Sequence, residues 1–295
     1  MTLQPTYGYF EAIGRVTGIN SDRAFSEGNK NDLKWNRLQF GLKVSNNSFV
    51  YVELMGNKTE KIRMYKNNSY DNLLEDRYEM VKWDDIYKQQ YSNLKLPQSV
   101  KTNVGLPEDE ETKLIAYDAI NQFKEKLQNN QTVLVKGLLQ FELYDGRIQE
   151  KFQIRSLYVV DENMYDVTLA KAYFTQEIVF IGLEGNQIIS KIIKGSRDTQ
   201  EIIDYSFPTN SKETIEFLSN LEPGSTLKLH GNIKNYVPIE AIDGYEVITG
   251  SAIKELEVTG GSTESLVRGR YSTLELTSKV ITTSPFEDEE VEYGF

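Results

Sequence analysis

The stretch from Trp35 to Lys66, WNRLQFGLKVSNNSFVYVELMGNKTEKIRMYK, decides the fold. It contains three segments in which side chains alternate between two faces, as they do along a β-strand. One face of each segment is apolar, and its residues are Leu38, Phe40, Leu42, Val44, Val50, Val52, Leu54, Ile62 and Met64. The opposite face is aromatic and basic, and its residues include Trp35, Arg37, Lys43, Phe49, Tyr51, Lys61, Arg63 and Tyr65. The alternation predicts three consecutive short strands.

The aromatic and basic face differs from an ordinary solvated surface. Such a surface would carry Thr, Ser, Glu and Lys, with no use for Trp, Phe and two Tyr. Flat rings beside cations are typical of sites for single-stranded nucleic acid, where bases stack on the rings and phosphates contact the charges. The alternative is that the rings cover a second layer of the protein itself. We predict a nucleic-acid-binding face formed by Trp35, Arg37, Lys43, Phe49, Tyr51, Lys58, Lys61, Arg63, Tyr65 and Lys66.

The composition argues against several kinds of site. A chain of 295 residues is long enough for two ordinary domains, each with its own core. It has no cysteine, which excludes disulfides and cysteine-based zinc sites and fits a reducing cytoplasm. Its only histidine is His230, so histidine–metal clusters and Ser-His or Cys-His catalysis are not expected. Without a long apolar run or a signal peptide, we expect a cytoplasmic protein with no membrane span, metal or cofactor.

The charge is unevenly distributed along the chain. A net charge of −11 is unfavourable for a protein that binds phosphates. Residues 1–66, however, contain ten Lys or Arg and six acidic residues, a net charge of +4. The segment from Ser284 to Phe295 contains five acidic residues and no basic one. The chain therefore combines a basic segment with an acidic end, and the overall charge conceals both.

The flanking elements predict the order of an OB-fold barrel. A strand with two glycines near its end is expected over 7–19, before the three central segments. Apolar residues at helical spacing predict a helix over 114–127. The region 132–160 predicts a hairpin that turns at Asp145-Gly146. An OB-fold likewise has its helix between the third and fourth strands.

The region 67–111 is predicted to be a long insertion between the strands and the helix, in part helical. It carries several aromatic residues among many charges and two prolines near its end. Long insertions of this kind are often functional. One interpretation is a flap that grips the nucleic acid. The other, which we favour, is a packed insertion that covers a sheet edge.

The second half of the chain repeats the first. An ungapped alignment of FKEKLQNNQTVLVKGLLQF with FLSNLEPGSTLKLHGNIKN separates every matched pair by 94 residues. The matched pairs are Phe123 with Phe217, Leu127 with Leu221, Thr132 with Thr226, Val135 with Leu229 and Gly137 with Gly231. Such a match indicates two copies of one fold. The second copy is acidic, with eight Lys or Arg and thirteen acidic residues over 167–260, so we expect it to contribute less to nucleic-acid affinity.

The predicted fold is therefore mainly β, with two tandem OB-fold-like five-stranded barrels, each with a helix between its third and fourth strands. The predicted boundaries are 1–161 for the first barrel, including the insertion at about 67–111, and 162–260 for the second. A flexible linker and acidic tail follow over 261–295. The tail ends in an aromatic residue with a free carboxylate after several acids, which suits a partner pocket with a basic rim. Its predicted partner-binding residues are Glu289, Glu290, Glu292 and Phe295.

An OB-like domain with this aromatic and basic face, followed by an acidic tail ending in Phe295, resembles the single-stranded DNA-binding proteins of bacteriophages. The resemblance implies that the strand face and loops hold single-stranded DNA without sequence preference. It also implies that the acidic tip recruits replication, recombination or repair enzymes. Bacterial members end in Asp-Ile-Pro-Phe, whereas this chain ends in Glu-Tyr-Gly-Phe, so only the acids and the terminal Phe carry over. Two barrels per chain could lessen the need for assembly, which is compatible with a monomer.

Two alternatives come from other functional classes. A structural phage component, such as a tail or baseplate protein built from small barrels, would bury the rings of Trp35, Phe49 and Tyr51 under another layer or subunit. A metal-dependent nuclease would use Asp84-Asp85 or the acids of 108–111. Those acids lie in an irregular stretch without an ordered Lys or His partner, so we expect solvated charges and no enzymatic activity.

Overall fold

The structure is a computed structural model that describes residues 3–30, 33–66, 78–107, 111–169, 171–195, 200–242, 245–262, 271, 272 and 276. The described residues are mainly in strands, with two α-helices, so the predicted mainly β class is confirmed. They form two compact units. The first unit comprises Tyr9–Phe174 and Asn232–Glu255, and the second comprises the described parts of Met1–Gly8, Thr175–Gly231 and Leu256–Phe295.

The secondary structure runs in chain order as follows. Before the first helix lie β1 (Gly8–Thr17), β2 (Phe25–Lys30), β3 (Leu33–Lys43), β4 (Phe49–Lys58), β5 (Lys61–Lys66), β6 (Tyr78–Lys82), β7 (Leu94–Lys95), β8 (Lys101–Gly105) and β9 (Thr112–Ile115). Between the helices lie α1 (Ala116–Lys126), then β10 (Thr132–Tyr144), β11 (Arg147–Val159), β12 (Lys171–Glu184), β13 (Gln187–Lys194) and β14 (Glu201–Pro208). The last elements are α2 (Lys212–Ser219), β15 (Thr226–Tyr236), β16 (Ile239–Ile242), β17 (Tyr245–Ile248) and β18 (Ile253–Ser262).

Five strands of the first unit pair in a closed ring, in the order β1-β10-β11-β4-β3 and back to β1. The β4–β11 contact is parallel, with Phe152 opposite Val52. Helix α1 lies in the chain between the third and fourth strands of the ring, β4 and β10. This strand order is OB-like. The predicted hairpin is also confirmed, since β10 and β11 pair as far as Tyr144 and Arg147 and turn through Asp145-Gly146 with positive φ at both residues.

The predicted apolar faces form the core of the ring. The side chains of Leu38, Leu42, Val50, Val52 and Leu54 are each at most 1% exposed. Each has its neighbours in sequence on the opposite face of the strand, as the alternation predicted. Burial of such side chains stabilises the fold by about 1.5–3 kcal/mol each.

The described part of the insertion is packed, and it consists of strands and short 3-10 turns instead of the predicted partial helix. Strands β6, β5 and β7 form a separate three-stranded sheet. Apolar side chains from this sheet, from the turn after β6 and from β9 form a small core. Its members are Met64, Val81, Trp83, Ile86, Leu94 and Ile115. Strand β8 pairs in parallel with β11, with Asn103 opposite Ser156. The insertion therefore extends the sheet of the ring, because β11 contacts both β4 and β8.

The second unit repeats much of this order. Strand β12 pairs with β13, and β13 with β14, while β15 pairs with both β12 and β18. A single parallel bridge joins Thr209, just after β14, to Val258 in β18. Strands β10 and β15 begin at the matched residues Thr132 and Thr226, which are 2% and 5% exposed.

Two residues after 260 belong to the core of the second unit. Tyr271 is 2% exposed and Leu276 is 1% exposed, and both pack with Leu3, Val179 and Ile193. The Tyr271 hydroxyl also accepts a hydrogen bond from the backbone N–H of Gln4 at 3.2 Å. These contacts were not expected from a sequence whose composition resembles a flexible linker.

We predict that Gly137→Ala lowers the free energy of unfolding by about 1–3 kcal/mol, the usual cost of overpacking a core. The β10–β11 register shifts at Gly137, and a Cβ there would overlap the backbone carbonyl of Gln153 and lie 2.7 Å from the Phe10 ring. Both tryptophans of the chain, Trp35 and Trp83, lie in the first unit, so their fluorescence during urea unfolding measures this change.

The matched control is Gly182→Ala. Gly182 also lies at a register shift, between β12 and β13, but a Cβ there would meet no atom within 4 Å. We expect the control to unfold like the wild-type protein when followed by circular dichroism. Equal stability of the two variants would contradict the close packing at Gly137.

Candidate nucleic-acid interface

An open groove of about 550 Å³ crosses the outer face of the first unit's ring. It lies over β3, β4 and β11 and beside the loop that follows β1. The Tyr51 ring stands in this groove opposite Gly41 of the neighbouring strand, and it is 67% exposed. A Cβ on Gly41 would lie 2.7 Å from the Thr17 hydroxyl, so glycine keeps this part of the floor clear.

The charges in the groove are largely compensated. Arg37 donates to the Glu53 carboxylate, with 3.1 Å between Arg37 Nε and Glu53 Oε2. Lys151 lies 3.9 Å from the same carboxylate and 2.5 Å from that of Glu142. The guanidinium of Arg23, by contrast, forms no ion pair with any acid in the described part of the chain. The lining is therefore only weakly basic, and Arg23 is its least compensated cation.

The predicted residues on β3 and β4 share the outer face of the ring. Lys43 is opposite both Phe49 on β4 and Arg15 on β1. Phe49 is half-buried. Trp35 is half-buried as well, because its ring lies over Gly28 of β2, 2.8 Å from where a Cβ on that residue would be. Tyr51 is therefore the ring on this face most available for stacking.

The remaining predicted residues lie on or near a different sheet. Lys58, at the end of β4, is 3.7 Å from the Asp84 carboxylate and 5.7 Å from the centroid of the Trp83 ring. Strand β5 pairs with β6 and β7 instead of β4, and its exposed predicted residues are Lys61, Arg63, Tyr65 and Lys66. The Arg63 guanidinium stacks on the Tyr78 ring at 4.1 Å. The ten predicted residues thus form two groups on separate sheets of one unit.

A hydrogen-bond network links the insertion to the start of α1. The Tyr87 hydroxyl donates to Asp118 Oδ2 at 2.8 Å and accepts from the Ile115 backbone N–H at 3.0 Å. The Trp83 indole N–H donates to the other Asp118 oxygen at 3.2 Å. Burial of its hydroxyl, with the Asp118 charge beside it, raises the pKa of Tyr87 well above its usual value, so the hydroxyl stays protonated. Two of the acids considered for a nuclease do have lysine partners, contrary to the expectation from sequence, since Asp84 is 3.7 Å from Lys58 and Asp85 pairs with Lys88.

Sequence reasoning missed several basic residues near these surfaces. Arg23 lies in the loop after β1, and Lys151 alternates with buried residues of β11. A second pocket, of about 530 Å³, lies in the insertion and is lined by Lys88, Lys95, Lys101 and Lys113. In β11, the polar residues Lys151, Gln153 and Arg155 alternate with the apolar residues Phe152 and Ile154. This alternation could have identified the basic face of the strand. The lysines of the second pocket are scattered over segments that meet only in the folded structure, so no pattern in the sequence predicts them.

Three further predictions from the sequence concern the tail, metal sites and membrane spans. The tail residues Glu289, Glu290, Glu292 and Phe295 lie outside the described residues. Within the described ranges, no group of three or more His, Asp or Glu side chains is placed to hold a metal ion. In the same ranges, no helix is long and apolar enough to cross a membrane.

The fold and groove define a β-rich protein with OB-like strand order and an open, weakly basic surface groove. The chain belongs to the YorF family, which it matches over residues 10–279. No curated protein matches the sequence.

Two solved structures of the single-stranded DNA binding protein from Thermus aquaticus are similar to this chain. The wild-type structure is 8% identical, with a TM-score of 0.40, and the match covers 92% of this chain and 98% of that one. A deletion mutant of the same protein is 10% identical, with a TM-score of 0.39, covering 88% and 95% of the two chains.

We predict that Tyr87→Phe lowers the free energy of unfolding by about 1–3 kcal/mol, because the backbone N–H of the buried Ile115 loses its hydrogen-bond partner. The contribution of this hydroxyl is fully present at neutral pH, and it is lost progressively as pH rises above the ordinary tyrosine pKa of 10.0 toward the raised pKa of the folded state. Tyr91→Phe removes a hydroxyl from the same insertion without breaking this network and serves as the control. Urea unfolding followed by the fluorescence of Trp35 and Trp83 measures both, and equal midpoints would contradict the role of Tyr87.

Proposed function

We propose that this protein binds single-stranded DNA without sequence preference, through the groove over β3, β4 and β11. The observation that carries the proposal is the Tyr51 ring, 67% exposed in a groove that also contains Arg23, Arg37 and Lys151. An exposed ring beside cations suits a base stacked over a phosphate contact. In OB-folds, the face of the second and third strands, here β3 and β4, is the surface that binds oligonucleotides.

The proposed contacts divide between stacking and charge. Tyr51 stacks on a base, and Phe49 supports a second base farther along β4. Arg23 and the adjacent pair Arg15 and Lys43 contact phosphates. Arg37 contributes less than its charge suggests, because Glu53 already neutralises it. Affinity should fall with added salt, since cations released from the phosphates drive binding.

We extend the proposal to the second unit as a second OB-type barrel. Its support is the strand order of β12 to β18, with α2 before β15, and the parallel bridge from Thr209 to Val258. The acidic composition of 167–260 favours a role in lengthening the footprint or positioning the tail. Two barrels in one chain fit a monomer.

The biological setting is also a proposal. The protein acts in DNA replication, recombination or repair in the cytoplasm of a phage-infected bacterium, without catalysis of its own. The acidic segment from Ser284 to Phe295 recruits partner enzymes. Support comes from sequence, because five acids and no base lie over Ser284 to Phe295.

The alternative is a structural phage component. It is favoured by exposed apolar side chains on the β16–β17 hairpin, where Val247 is 40% and Ile248 is 68% exposed, since such side chains suit a contact between subunits. A gel shift with single-stranded and duplex competitors separates the two functions. A structural component should bind neither strand form.

We predict that Tyr51→Ala weakens binding of single-stranded DNA by about 1–3 kcal/mol, the usual value of one stacked base. Tyr51 is exposed, so the change should leave the fold intact. Fluorescence anisotropy with a labelled oligothymidylate measures the affinity. Tyr173→Ala, which removes a ring that is 48% exposed on β12, is the control and should bind like the wild-type protein. Equal affinity of the two variants would refute the stacking role of Tyr51.

We predict that deletion of 286–295 leaves single-strand affinity unchanged or tighter, most clearly at low salt. The deleted segment carries five acids, which phosphates repel and which the protein's own basic surfaces attract. The same deletion should abolish recruitment of a replication or repair enzyme, measured by co-purification from infected cells. A loss of DNA affinity would contradict the electrostatic argument, and unaltered recruitment would leave the tail a solubilising extension.

A further inference from the structure

The pocket in the insertion has an unusual combination of charge and apolar surface. Four lysines line its volume of about 530 Å³, and none of the described residues that line it is acidic. Its floor is formed by apolar side chains from the small core of the insertion, such as Ile86 and Leu94. Its volume is within the range of about 300–1,000 Å³ that is usual for pockets that hold small ligands.

The lysines are only partly neutralised by protein groups. Lys88 pairs with Asp85. Lys95, Lys101 and Lys113 form no ion pair with any acid of the described residues. Lys113 is opposite Asn103 and Lys101 is opposite Ile115, so the two lysines lie diagonally on one face of the β8–β9 ribbon. Like charges in this arrangement are unfavourable, and an anion between them would relieve the repulsion.

The rings beside the lysines suit a flat apolar group. Tyr87 and Tyr91 line the pocket together with Leu96. The Tyr87 hydroxyl is held by Ile115 and Asp118, which fixes its ring. A ligand that fits this lining carries negative charge at one end and a flat ring at the other. A nucleotide has both.

The pocket also borders β5, a strand that the sequence analysis singled out. Lys95 of β7 lies opposite Tyr65 of β5, and the Tyr65 ring is 40% exposed. The exposed cations Lys61 and Arg63 lie on the same strand. The pocket therefore borders a strand that itself carries exposed cations.

We infer that the insertion carries a second nucleotide subsite, which holds one nucleotide of the bound single strand between Lys101, Lys113 and the Tyr91 ring. The inference rests on the proposed function and deepens it, because it assigns a role to the insertion. The phosphate lies between the lysines and the base contacts the ring. The subsite adds length to the footprint, so short strands that fill only the groove do not use it.

The experiment compares a double variant, Lys101→Gln with Lys113→Gln, with a matched double control, Lys212→Gln with Lys228→Gln. Each pair contains one exposed and one half-buried lysine, and each variant removes two positive charges. Affinity is measured by anisotropy for oligothymidylates of increasing length at several salt concentrations. Circular dichroism confirms that each variant is folded.

The inference predicts that the double variant loses affinity for long strands and keeps wild-type affinity for short ones. The slope of log affinity against log salt should fall by about 0.7 for long strands, because one phosphate contact is lost. The control should show neither change. Equal behaviour of the double variant and the control would overturn the subsite and leave the proposed function standing.

Three other outcomes are also decisive. If the wild-type protein binds no single-stranded DNA at any length, the proposed function fails, and the subsite fails with it. An equal loss for short and long strands would place the lysines in the main site and overturn a separate subsite. Saturable binding of thymidine 5′-monophosphate, lost in the double variant, with unchanged binding of long strands, would make the pocket a site for free nucleotides and overturn the inference.

Discussion

The parallel contact of β11 with two strands is the constraint on which the first unit depends. Along its length, β11 pairs first with β4, at Phe152 and Gln153, and then with β8, at Ser156 to Tyr158. The first pairing closes the ring, and the second attaches the insertion to it. Because a parallel pair requires a long connection between its strands, the chain between β4 and β11 has room for both the insertion and α1. The groove is lined by β11, and the lysine pocket is lined by Lys101 of β8, the strand that pairs with β11.

The local features of the fold could be predicted from the sequence, and the pairings between distant strands could not. Alternation identified which side chains of β3 and β4 are buried, because the period of a strand depends only on the strand itself. Alternation does not identify a partner, which is why β5 could not be assigned to a separate sheet. The same limit applies to β8, whose partner on β11 is about fifty residues away. Packing between such distant segments decides their arrangement.

The candidate site shows the same division. The composition of the face indicated rings beside cations, and Tyr51 is exposed among them. The neutralisation of Arg37 by Glu53 depends on the β3–β4 register and could not be inferred from a count of charges. The Trp35 ring is half-buried because it lies over Gly28 of β2, a strand whose polar sequence has no alternation that would predict it. The sequence therefore indicated a surface of aromatic and basic side chains. The pairing of strands determines which of these side chains are exposed and which are already paired with an acid.

The two units are each built from separate segments of the chain, and this arrangement limits how the gene can recombine. Neither unit is one continuous stretch, because Met1–Gly8 belongs with Thr175–Gly231, and Asn232–Glu255 belongs with Tyr9–Phe174. Backbone hydrogen bonds of Thr6 with Ile193 and of Tyr7 with Glu177 are part of this arrangement. A single break anywhere from Tyr9 to Glu255 leaves both units incomplete. One crossover or one premature stop in that interval therefore cannot transmit a whole unit, and the two units must be inherited together.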